Sequence, residues 1–105
     1  MEKQRVIDRI TKVAHRHLPP NSRLLLYGSR ARGEARKDSD WDLLILLDQP
    51  EITESDFDNV SFPFTLLGWE IGELISPQMY TKQEWDSLSF TPYYKNVEQD
   101  KIVLV

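Results

Sequence analysis

A single α/β domain of alternating helices and strands is what this sequence predicts, on three observations. Glu2 to His17 repeats its apolar residues at helical spacing. Two short runs, "RLLLYG" and "WDLLILL", are apolar and stop at turn residues, as strands buried on both faces do. Helix-start signals then alternate with further apolar runs to the end of the chain, and 105 residues fit one core, spanning residues 1–105.

The elements follow in order. Val6, Ile7, Ile10, Val13, Ala14 and Leu18 form one stripe of the first helix, which Pro19 ends. Arg23 to Tyr27 reads as a strand ended by Gly28, and Trp41 to Leu47 as a second strand closed by "DQP". In "ITESDFDNVSFPFTLLGWEIGELIS" the expected helix has Ser61 as N-cap and Pro63 in its first turn, and runs to about Ile71. A strand is expected from about Leu74 to Tyr80. Thr81, with Glu84 three residues on, makes a capping box for the next helix. The tail "YYKNVEQDKIVLV" predicts a short helix or turn and a terminal strand.

Composition narrows the function. With 40% hydrophobic and 29% charged residues and no long apolar run, a membrane span is not expected. "MEKQRVIDRITK" lacks the apolar core of a secretory signal, and there is no cysteine for disulfides or thiolate zinc sites, so the expected location is cytoplasmic. A net charge of -4 argues against a domain that coats nucleic acid. Local basic character persists in Arg23, Arg30, Arg32, Arg36 and Lys37, which by charge alone describe a solvated loop.

The chemistry concentrates in "LLLYGSRARGEARKDSDWDLLILL". Asp40 and Asp42 are two apart at the head of a strand, so both carboxylates point one way and Trp41, Leu43 and Ile45 point the other. Two like charges held this close call for a cation between them, and their oxygens suit magnesium with phosphates completing its octahedron. Gly28 lets backbone approach a ligand closely, and a helix starting near Ser29 aims free N–H groups at an anion such as a triphosphate. Arg30 and Arg32 add charge-assisted bonds, and Gly33 leaves the next turn unobstructed. A Gly-Ser turn or an Asp-x-Asp pair alone is commonplace, whereas all four residues at fixed spacing arise by chance about once in 10^5 starts.

"GSRARGEARKDSDWDLLI" resembles the Gly-Ser, Asp-x-Asp signature of the DNA polymerase beta-like nucleotidyltransferase superfamily. More narrowly, "GSRARG" with "SDWDLLI" is similar to minimal nucleotidyltransferase (MNT) domains. The resemblance implies an α/β (α+β) nucleotidyltransferase fold with a mixed β-sheet flanked by helices. It also implies two magnesium ions and transfer of a nucleoside monophosphate from a nucleoside triphosphate, by expectation AMP from ATP. It would give Gly28 and Ser29, with Arg30, Arg32 and Ser39, to the nucleotide, and Asp40 and Asp42 to the metals and catalysis. The implied context is a toxin–antitoxin module in which the domain, as antitoxin, modifies a hydroxyl of a helical HEPN-type toxin.

Members of that family usually add a third carboxylate from a neighbouring strand. Aligning the helix start in "YTKQEW" puts Ser76 where that acid is expected. Glu73 is the nearest substitute, if the strand shifts by three residues, and Glu70 the next. A catalytic role is therefore expected for Glu73, with a weak or inactive nucleotide- and partner-binding module as the alternative. His15 and His17 diverge by about 200° on a helix and cannot share a metal. Trp69, Trp85, Phe62, Phe64, Tyr93 and Tyr94 lack basic interleaving and read as core or partner-face packing.

Overall fold

The computed structural model describes residues 2–105. Four strands form one sheet in the order β3-β2-β1-β4: β1 (Arg23–Tyr27), β2 (Trp41–Leu47), β3 (Ile75–Thr81) and β4 (Ile102–Val103). β1 is antiparallel to β2 and to β4, while β2 and β3 run parallel, so the sheet is mixed. A parallel pair needs a crossover. Here it is helical: α3 (Glu54–Asp56) leads through one π turn (Phe57–Ser61) into α4 (Phe62–Ile71).

Strand alternation sorts the core into two layers. Leu24, Leu26, Trp41, Leu43, Ile45, Leu47 and Ile75 face α1 (Lys3–His17) and α4, whose Val6, Ile10, Ala14, Phe64 and Leu67 meet them. Leu25, Leu44 and Leu46 face α5 (Lys82–Ser87) and α6 (Pro92–Asp100), packed against Trp85 and Val97. Each fully buried aliphatic or aromatic side chain contributes about 1.5–3 kcal/mol. β2 lies inside the sheet with both faces covered, which is why "WDLLILL" is apolar nearly throughout.

Most element ends fall where the sequence places them. α1 stops before Pro19, and the Leu18 amide donates to the Ala14 carbonyl. The Thr81–Glu84 capping box is present, with the Glu84 amide donating to Thr81 Oγ1 at 3.0 Å. The crossover helix differs from expectation: Ser61 lies inside it with helical backbone and caps nothing. The helix starts instead at Thr53, whose amide and hydroxyl both donate to the Asp56 carboxylate, at 2.8 and 3.0 Å. Aspartate in place of glutamate hides that box from a search for Ser/Thr-x-x-Glu.

Candidate active site

The site lies where the end of β1 meets the start of β2, on the sheet face shared with α5 and α6. Register pairs Tyr27 with Asp42 across the antiparallel ladder. Gly28 follows directly at φ 74°, ψ -159°, a backbone region suited to glycine. A Cβ there would collide with Oδ2 of Asp42, so bare backbone and carboxylate sit against one another.

Past Gly28 the chain turns into one helical turn, α2 (Ser29–Arg32), closed by Gly33. The Ala31 and Arg32 amides both donate to the Gly28 carbonyl at 3.1 Å. The amides of Ser29 and Arg30 have no backbone partner among the described residues and remain available beside the carboxylates.

Asp40 precedes β2 and is exposed, whereas Asp42 is half-buried in its first turn of strand. Burial raises the Asp42 carboxyl above the ordinary aspartate range. The charge of Asp40 pushes the same way, and Arg32 opposes both. The pair is thus a strained anionic site that a cation would relieve.

The third strand supplies a hydroxyl. Ser76 stands in register with Asp42 on β3, and its Oγ donates to Oδ2 of Asp40 at 2.9 Å. The parallel register from Trp41–Ile75 to Leu47–Thr81 leaves no three-residue shift. Glu73 accordingly lies in the turn before β3, its amide bonded to the Gly68 carbonyl at 2.9 Å, and is not brought onto the strand beside Asp42. Glu70 is on α4, across the sheet, paired with Arg9 at 3.0 Å. Among the described residues no group of three or more His, Cys, Asp or Glu forms a metal cluster.

The basic residues divide in their roles. Arg30 stacks over the Trp41 ring at 4.5 Å and donates to the Ser39 carbonyl at 2.9 and 3.2 Å and to the Lys37 carbonyl at 3.3 Å. Its guanidinium staples the loop between α2 and β2. Ser39 Oγ accepts from the Arg36 amide at 2.8 Å and also braces that loop. Arg32 reaches across to Asp100 of α6 at 2.8 Å and to Glu34 at 3.4 Å, and it is the cation whose charge Asp42 feels.

A tyrosine wall beside Asp42 is the feature sequence reasoning missed. Tyr27 and Tyr93 share a hydrogen bond between hydroxyls at 3.1 Å, and their rings meet edge to face at 6.1 Å. Burial raises both phenols, and Asp42's charge adds to the rise in each. Tyr93 also packs on Trp85, as the packing expectation holds, but its hydroxyl belongs to the site. Tyr27 directly precedes the Gly-Ser turn and was legible as a neighbour. Tyr93 arrives from α6, some fifty residues after β2, with no local signal.

A mixed sheet, a Gly-Ser turn pressed against one of two paired aspartates, and a flanking helical turn define a nucleotidyl-transfer fold. The profile of the nucleotidyltransferase domain family matches residues 7–104, and the chain belongs to that family. Solved structures agree in fold. A toxin–antitoxin crystal structure with AMP-PNP is similar at TM-score 0.65 and 15% identity, covering 94% of this chain and 72% of that one. A mutant of the toxin–antitoxin MntA-HpeT gives 0.64 and 13%, with the same coverage. A protein described as a minimal nucleotidyltransferase gives 0.60 and 22%, covering 97% of this chain and 95% of that one. No curated protein sequence matches the chain.

Proposed function

We propose that this domain transfers a nucleoside monophosphate, by preference AMP from ATP, to a hydroxyl of a partner protein. The observation that carries this is the packing of Gly28 backbone against the Asp42 carboxylate, with Asp40 alongside. Phosphate and cation would meet there. Ser29 and the amides of the first α2 turn face the triphosphate, and Arg32 is the nearby cation that offsets its charge.

The donor set fits magnesium: two hard carboxylates whose mutual repulsion falls when a divalent ion binds, with phosphate and water oxygens left to complete six ligands. When bound, such ions lower the pKa of an acceptor hydroxyl and neutralise the departing pyrophosphate. Asp40 and Asp42 would hold them, and Ser76 fixes the Asp40 carboxylate through its hydrogen bond. The acceptor hydroxyl would give its proton to solvent, its oxygen would bond to the α-phosphorus, and the bond from that phosphorus to pyrophosphate would break.

A second reading, nucleotide binding with weak or no turnover, is favoured by Ser76, a neutral group where relatives usually carry an acid. The toxin–antitoxin neighbours support a partner protein, and a HEPN-type toxin is the partner proposed. Such a module works in the cytoplasm. Among the described residues no helix is long and apolar enough to cross a membrane.

The deciding experiment incubates the protein and magnesium with α-labelled ATP and source-cell lysate, beside an Asp40→Asn, Asp42→Asn double variant. A labelled band made only by the unaltered protein is expected. Binding of ATP and magnesium without any label selects the second reading.

A further inference from the structure

On the sheet face opposite Asp40 and Asp42, the crossover helix carries a row of large apolar side chains in solvent: Phe57, Phe62, Leu66 and Trp69, the last 69% exposed. In an uninterrupted α-helix Phe57 and Phe62 would point about 140° apart. The π turn brings them into line, because the Phe62 amide bonds to the Phe57 carbonyl and sets the two residues about one turn apart on one side. Leu66 and Trp69 continue the row at helical spacing, and the rings of Phe62 and Trp69 meet edge to face at 5.8 Å. The row is about 18 Å long.

A groove of about 350 Å³ runs beside it between α1 and α4 and includes Leu66. Its α1 wall carries Arg9, Lys12 and Arg16. Glu70 pairs with Arg9, while Lys12 and Arg16 make no ion pair among the described residues. This is a cationic strip on a chain of net charge -4.

We propose that the α1–α4 face docks an amphipathic helix of a partner protein, its apolar side chains flanked by Asp and Glu. A straight apolar row with exposed aromatics is what helix-in-groove recognition uses, and Trp69 is the expected anchor. The cations of α1 select for carboxylates and hasten encounter. A second copy suits the face less well, since a two-fold contact would bring Lys12 and Arg16 of both copies into one interface. The inference rests on the reading that the domain works with a partner, and nucleotide binding across the sheet is read separately.

The test uses a fluorescent synthetic helix of about 20 residues with a leucine stripe flanked by glutamates, and its twin with lysines in their place. The glutamate peptide should bind about tenfold tighter than the lysine peptide, and less tightly as salt rises. Leu66→Ala with Trp69→Ala should weaken it about tenfold. Lys12→Glu with Arg16→Glu should weaken it and flatten the salt dependence. Both variants alter exposed side chains, and ATP binding should be unchanged in each. Equal binding of the two peptides, or no binding, overturns the proposal. So does a concentration-dependent dimer lost in the Leu66, Trp69 variant, or preference for anionic phosphatidylglycerol vesicles over the glutamate peptide.

Discussion

Asp42 carries a cost in the metal-free protein, because burial and Asp40 both hold its carboxyl above the value it has in an unfolded chain. The folded state therefore keeps that proton to higher pH than the unfolded state, and the group's contribution to stability falls as pH rises through this window. Asp42→Asn should accordingly raise the thermal midpoint of the metal-free protein at neutral pH while abolishing label transfer, and added magnesium should stabilise only the parent. Differential scanning fluorimetry across pH with and without magnesium checks both signs. Gly28→Ala should act the other way: positive φ and the collision with Asp42 together cost about 1–3 kcal/mol or more and should remove ATP binding. Ser76→Asp would place a third carboxylate in register with Asp42, and a faster label transfer than the parent's is expected. Glu73→Gln, off the strand, should leave the rate nearly unchanged.

At the scale of elements, β1, β2 and the Thr81 helix start were legible because their signals are local: continuous apolar runs, a Gly stop, a capping box. Thr81→Ala should cost about 1 kcal/mol, lowering the thermal midpoint by about 4–8 °C. The crossover helix was not legible at its start, since Asp56 closes the box in place of glutamate and the π turn breaks the 3.6 period between Phe57 and Phe62. Asp40, Asp42 and Gly28 were legible because one hairpin brings them together within fifteen residues. The assignment of Arg30 to nucleotide could not see that loop carbonyls and the Trp41 ring occupy its guanidinium. A one-residue deletion between Phe57 and Phe62 should restore an α-helical turn with the two rings four residues, about 40°, apart and still in line, so the glutamate peptide should bind with little change.

Over the whole molecule, the sheet is a partition. Its α5–α6 side carries Asp42, Ser76 and the tyrosines, and its α1–α4 side carries the apolar row and the cations. β2 belongs to both, with Trp41 turned to one layer and Asp42 to the other. Reciprocity requires that any influence of nucleotide on docking equal that of docking on nucleotide. Between them lies a layer in which Leu43, Leu44, Ile45 and Leu47 are wholly buried, and close packing of this kind resists rearrangement. The coupling factor measured by titrating the glutamate peptide with and without AMP-PNP should then stay near one. Occupancy of the two ligands would multiply as independent probabilities, so the domain would hold its partner equally well in energy-rich and energy-starved cells.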